Sequence, residues 1–295
     1  MRKAKVATVQ MDCQHLNREG NLEKALMFVR DAKKMGADLV VLPHMFATGY
    51  NVFINPSKVA EDIDGSTVSY LKTISKKLNI IVVGGFVEKC DTEFFDTTIV
   101  ADPRGDIIGS YRRISLWQDE SNDLSRGEDL CIVDTPIGRA GILVSRDLTF
   151  PEIARSLAFE GAEIIMISGA LDDHAYWEVF CRARALENAC FVVASNRVGV
   201  EGQLSYCGHS MIIDPEGRIL SDSESREEAK VAELDPTIMD KEREEYWQLV
   251  ELEESFGIEQ GEYLSEPMSC RSKVSDESCS EKKPKTTGKK KSSKK

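Results

Sequence analysis

The sequence predicts an α/β fold in which two mixed sheets lie between flanking helices. Two observations carry this reading. Short apolar, branched runs such as Asp38–Leu42 and Gly141–Val144 alternate with segments whose apolar residues recur at helical spacing. Several neighbouring strands are also joined by turns too tight to hold a helix, at Asp102-Pro103-Arg104-Gly105-Asp106 and at Pro215-Glu216-Gly217. Helical crossovers make parallel pairs and tight turns make antiparallel ones, so a chain with both requires mixed sheets.

The elements follow in order. Lys5–Met11 alternates like a strand, and Asn21–Lys34 places Leu22, Ala25, Leu26 and Val29 on one helical face before Gly36 ends it. Asp38–Leu42 is a buried strand stopped by Pro43. Ser66–Leu78 is a helix, Ile80–Glu88 and Phe95–Ala101 are strands, and Ile107–Arg112 is a strand leading into the polar loop Ser115–Asp129. Gly141–Val144 is a strand, after which Pro151 and Glu152 open a helix to Glu160, since proline in a first turn loses only a donor that has no helical partner there. Glu163–Ser168 is a strand, His174–Ala189 a longer helix and Phe191–Val198 a strand. Ser210–Asp214 and Arg218–Ser221 form a hairpin, Ala229–Leu234 adds a strand, and Pro236 opens a charged helix to about Glu254. No short repeat is present, and the reading is one domain over residues 1–264 followed by a Lys-rich tail over 265–295.

Composition narrows the function classes. The 295 residues are 41% hydrophobic and 30% charged, with a net charge of −12. Residues 270–295 hold ten basic and three acidic side chains, which leaves −19 on the rest of the chain. Such an acidic body argues against nucleic acid as its main ligand. The tail, with nothing apolar to bury in Glu281–Lys295, is expected to be disordered. It is either a solubilising appendage or a segment that contacts nucleic acid or another anionic surface. No apolar run is long enough to span a membrane, and the N-terminus lacks the apolar core of a signal peptide, so a cytoplasmic location is expected. The eight cysteines form no Cys-x-x-Cys pair, and reduced, buried thiols without metal are expected. His15 and His209 lack metal-ligand spacing, and no cofactor is expected.

Three strand ends carry polar residues where a site can assemble. His44 follows the buried run Val40-Val41-Leu42-Pro43. Arg113 leaves the strand Ser110-Tyr111-Arg112, and Ser145 sits between Gly141-Ile142-Leu143-Val144 and the helix opened by Pro151. Carboxyl ends of strands are where α/β folds gather reactive groups.

These frames resemble the nitrilase, or carbon–nitrogen hydrolase, superfamily. The resemblance extends through Arg182-Ala183-Arg184-Ala185-Leu186-Glu187-Asn188, Ser195-Asn196-Arg197-Val198-Gly199 and Tyr206-Cys207-Gly208-His209-Ser210, and covers about Lys3 to Tyr246. It implies a four-layer αββα sandwich, commonly a dimer packed through sheet-flanking helices. It also implies a catalytic glutamate, lysine and cysteine at the positions that hold His44, Arg113 and Ser145. The family's thiolate mechanism cannot run with these occupants: a serine hydroxyl is a far weaker acid than a thiol, and a planar guanidinium does not imitate a compact ammonium.

The expectation is therefore a pseudoenzyme, a ligand-binding or regulatory homologue that forms a homodimer or partners an active paralogue. The alternative is an amide hydrolase in which His44 serves as base for Ser145, Glu120, at the family's supporting glutamate, orients the imidazole, and Arg113 faces the oxyanion. Arg112 and Arg146 add positive charge near the site, which points to a small anionic ligand. His174 and Trp177 either line the pocket mouth or serve the entry of their helix. Asp147 and Glu152 match the family frame and are expected to be structural.

Overall fold

A computed structural model describes residues 1–50 and 55–245. Among these, one six-stranded sheet has the order β14-β1-β2-β3-β4-β5. Its strands are β1 (Ala4–Gln10), β2 (Leu39–Val41), β3 (Ile81–Cys90), β4 (Glu93–Ala101), β5 (Ile107–Arg112) and β14 (Glu228–Leu234). The other six-stranded sheet has the order β13-β12-β9-β8-β7-β6. It contains β6 (Ile132–Thr135), β7 (Gly138–Val144), β8 (Ile164–Ser168), β9 (Phe191–Ser195), β12 (Met211–Ile213) and β13 (Ile219–Asp222). Strands β10 (Val198–Glu201) and β11 (Leu204–Cys207) form a separate hairpin. Each sheet has three central parallel strands, β1–β2–β3 and β7–β8–β9, with antiparallel strands outside them.

The layers follow from which faces are apolar. Val6, Val41, Val83 and Val100 of the first sheet meet Ile142, Val144, Met166 and Val193 of the second in a core between the sheets. The other face of the first sheet is covered by α1 (Arg18–Lys34) and α2 (Ser66–Leu78), through Phe28, Val29, Leu71 and Ile74. The outer face of the second is covered by α3 (Pro151–Phe159) and α4 (His174–Leu186), through Leu157, Trp177 and Cys181. Strands buried on both faces explain why the central runs read as unbroken apolar stretches. The result is the expected four-layer αββα sandwich.

Hydroxyls stitch the two sheets together at the carboxyl ends of the parallel strands. Ser195 Oγ donates to Val41 O at 2.6 Å and accepts from Val9 N at 3.2 Å. Ser168 Oγ donates to Leu42 O at 2.9 Å, and His44 N donates to Gly169 O at 3.0 Å. All of these groups are buried, where an unpaired backbone group is costly, so the bonds fix the relative depth of the sheets.

Local signals explain the helix ends. Asn17 accepts from Gly20 N at the start of α1, Asp173 accepts from Tyr176 N at the start of α4, and Pro151 begins α3. Two departures from the sequence reading bear on the site. β6 pairs with β7 although no strand was expected there. The strand expected to run through Val198 stops at Ser195, because Asn196 and Arg197 turn into buried polar contacts. The charged helix α5 is described over Pro236–Glu245, and its expected continuation to Glu254 and the Lys-rich tail lie outside the described residues. No helix among the described residues is long and apolar enough to cross a membrane.

Candidate functional site

The carboxyl ends of β2 and β7 come together through β8. Val144 pairs with Ser168 in the parallel ladder, and Ser168 bonds to Leu42 in the other sheet. His44 and Ser145 therefore sit just past two strands that the same serine joins. Both are buried, Ser145 with 2% of its surface exposed and His44 with none.

The turn at Ser145 is tightly specified. Ser145 adopts φ 48° and opens a short 3-10 turn, Ser145–Thr149, directly after the extended Val144. Left-handed backbone at a non-glycine residue is uncommon and must be held by its surroundings. Asp147 holds it: its carboxylate accepts from Val144 N at 3.2 Å, Ser115 N at 2.8 Å and Tyr111 Oη at 2.7 Å. Burial pushes the Asp147 carboxyl up to about 6, against the lowering effects of Arg113 and these three donors. The structural expectation for Asp147 fits this placement.

His44 is held from the opposite side. Its Nε2 lies 2.8 Å from Asp96 Oδ2, both groups being fully buried. Asp96 lies on β4, beside the strand end that carries Arg113: Arg113 N donates to Asp96 O at 2.8 Å, and the guanidinium Nε is 2.5 Å from Asp96 Oδ2. Burial alone would raise the Asp96 carboxyl, but His44 and Arg113 outweigh it and hold the group below its usual value. A carboxylate at Nε2 places the ring proton there and leaves Nδ1 as the basic nitrogen.

Glu120 supports Arg113 rather than His44. Its carboxylate takes Arg113 Nη2 at 2.8 Å, Trp117 N at 2.8 Å and Tyr50 Oη at 2.6 Å. The Tyr50 ring meets the His44 ring edge-on at 5.5 Å. The imidazole thus has an acidic orienter, as the hydrolase alternative requires, but it is Asp96 and not Glu120.

The expected anion cluster is not assembled. Arg112 pairs with Glu88 through two bonds, at 2.6 and 2.9 Å, with its guanidinium stacked over Phe95. Arg146 donates to Leu116 O and stacks over Trp117 at 4.5 Å. Trp177 is buried in the outer core, where its Nε1 donates to His209 O at 2.7 Å, so it packs rather than lining a pocket mouth. His174 stacks on His209 instead of facing Ser145.

Asp96, Tyr50 and Tyr111 were not picked out in the sequence. Asp96 had a usable signal. It interrupts Phe94-Phe95-Asp96-Thr97-Thr98-Ile99-Val100, and a carboxylate inside a buried strand needs a charged partner. None of the six described cysteines is in a disulfide, and burial pushes Cys13 up to about 12 and Cys190 to about 11, far from a reactive thiolate.

Comparison with known proteins identifies the family. The carbon-nitrogen hydrolase family model matches residues 5–240. A nitrilase from Pyrococcus abyssi is 37% identical over 239 residues, covering 78% of this chain and 89% of that protein. An omega-amidase from Saccharomyces cerevisiae is 31% identical over 263 residues, covering 82% and 90%. The crystal structure of the Saccharomyces cerevisiae protein matches with a TM-score of 0.77 at 30% identity, over 83% of this chain and 94% of that one. An amidase from Nesterenkonia sp. AN1 matches at 25% identity with a TM-score of 0.74, over 84% of this chain and 99% of that one, in a form with acrylamide added at its active site cysteine. The expectation of a homologue without catalytic activity is overturned by these relatives, whose names are those of enzymes; the amide-hydrolase alternative fits them.

Proposed function

Because this chain belongs to the carbon–nitrogen hydrolase family, we propose that it hydrolyses a small amide, with Ser145 as nucleophile and His44 as base. The observation that carries this is the buried hydrogen bond between His44 Nε2 and Asp96 Oδ2 at 2.8 Å. A hydroxyl needs a stronger base than a thiol does, and an imidazole backed by a carboxylate is such a base.

In the proposed reaction Ser145 Oγ attacks the amide carbon while His44 Nδ1 takes the hydroxyl proton. Asp96 stabilises the imidazolium that forms. The proton then passes to the departing nitrogen, the C–N bond breaks and ammonia leaves an ester on Ser145. Water, deprotonated by the same imidazole, cleaves the ester to a carboxylic acid and restores Ser145. Arg113 helps to keep Asp96 ionised, pairs with Glu120, and places a guanidinium in a water-poor site where an oxyanion develops. Every group named is buried, which suits a small substrate. The omega-amidase relatives favour a terminal amide.

The same reading takes the working form to be a dimer in the cytoplasm. The outer side of α4 exposes Val179 and Leu186, at 63% and 57%, and a second copy of this helix layer would cover them.

The test is ammonia release from a panel of small primary amides. Wild type is expected to turn over, and Ser145→Ala to lose on the order of 10⁴-fold or more. Wild-type protein that is folded and inert across the panel, or a Ser145→Ala variant as active as wild type, would overturn the proposal.

A further inference from the structure

Away from Ser145, three side chains from three separate elements converge at the start of α4. His174 is the first residue of that helix, His209 lies between β11 and β12, and Asp222 ends β13. One nitrogen or oxygen from each lies within 4.8 Å of the other two. The two imidazoles stack at 3.5 Å between centroids, 11° from parallel, and His209 Nδ1 is 3.0 Å from Asp222 Oδ2. This is a group that spacing along the chain could not reveal, because its members are brought together only by the fold.

We propose that His174, His209 and Asp222 form a binding site for a divalent transition-metal ion of the zinc class.

The donor set fits such an ion: two imidazoles and one carboxylate suit zinc and its neighbours, whereas calcium and magnesium prefer oxygen alone. Donor atoms bound to one zinc at about 2.0–2.2 Å lie about 3.3 Å apart. The His209–Asp222 pair already meets that spacing. His174 must tilt out of the stack to bring its lone pair to the same point. Its side chain, 42% exposed, has room to do so. His174 Nε2 is covered from solvent without a hydrogen bond, with Glu178 Oε2 3.4 Å away as a possible fourth donor.

The other two ligands are fixed by backbone. His209 is held at φ 55° by its N–H to Glu224 O at 2.6 Å and by Trp177 Nε1 on its carbonyl. Asp222 Oδ1 accepts from Glu224 N at 2.7 Å. Local charge also favours a cation. Asp172, Asp173, Glu178 and Glu224 lie on the same elements or loops, while the nearby cations are engaged: Arg182 with Glu178 and Gly217 O, and Lys230 with Asp222 O. A bound ion would clamp the start of α4 to the β12–β13 hairpin.

The test uses the full chain after dialysis against a chelator, titrated with cobalt(II) and zinc(II). One cobalt is expected to bind with a visible ligand-field band and without the thiolate charge-transfer band that cysteine ligation would give. Zinc should raise the melting temperature in a saturable way. His174→Ala, at an exposed position, and Asp222→Asn should each weaken binding at least tenfold, while Cys207→Ser should leave it unchanged. A thiolate band, or equal affinity in wild type and both ligand variants, would overturn the site. Should Asp222→Asn fail to fold, His174→Ala still decides the question.

Discussion

Asp96 Oδ2 serves two nitrogen groups at once, the imidazole of His44 and the guanidinium of Arg113. That sharing makes Asp96 the residue whose loss separates chemistry from fold most cleanly. Asp96→Asn keeps the size and one acceptor but no longer stabilises an imidazolium, so kcat toward the amide found in the panel should fall by about 10³-fold or more with KM little changed. The same change strips a buried guanidinium of one partner, and a cost on the order of 3 kcal/mol in stability should accompany it, read by chemical denaturation. At this scale the sequence was legible in part. His44, Arg113 and Ser145 stand at strand ends whose apolar runs identify them, and those runs are local. Asp96 reaches His44 across β3, the strand between β2 and β4, and Glu120 reaches Arg113 through a loop. Which carboxylate serves which side chain depends on strand order, which local spacing does not encode.

Among the elements, the turn after β7 shows how a position is built. Asp147 draws Val144, Ser115 and Tyr111 onto one carboxylate and so maintains the left-handed backbone at Ser145. Burial pushes its carboxyl up to about 6 in the folded protein, from 3.8 for an ordinary aspartate. A raised carboxyl binds its proton more tightly when folded, so this contribution is full below pH ~4 and is lost as pH rises through 6. Two pK units correspond to roughly 3 kcal/mol. The difference in unfolding free energy between wild type and Asp147→Asn should therefore shrink by up to that amount from pH 4 to pH 7; a constant difference would show that Asp147 titrates normally. At the end of β8, a Cβ on Gly169 would meet Trp177 ring atoms at 2.6 and 2.7 Å. The indole is packed and hydrogen-bonded, so it cannot swing aside. Gly169→Ala should cost about 1–3 kcal/mol in thermal or chemical unfolding. β6 was missed for an equally local reason: Ile132–Thr135 is short and half apolar, and only its pairing with β7 makes it a strand.

For the whole molecule, layer order was readable because each helix has one apolar face and the central strands have two. The depth at which the sheets meet was not, since it rests on Ser168 and Ser195, whose hydroxyls look like ordinary strand-end polar residues. The exposed apolar side chains of α4 supply a test of assembly. Val179→Asp should shift the protein toward monomer in light scattering or sedimentation at micromolar concentration, with circular dichroism unchanged. A dimer indifferent to that change would place the contact elsewhere.

The pairing of Ala4–Gln10 with Glu228–Leu234 has a consequence in time. β1 meets its antiparallel neighbour β14 only after more than two hundred intervening residues have been synthesised. Until then one edge of β1 carries unpaired amides and carbonyls, open to any other extended chain. Completing that sheet closes a loop of more than two hundred residues, a non-local contact of the kind that slows folding. A ribosome that stalls before Leu234 leaves behind a polypeptide whose second sheet can form but whose first cannot be finished. Protection of that edge from aggregation thus waits on β14, and the window of exposure is set by translation speed.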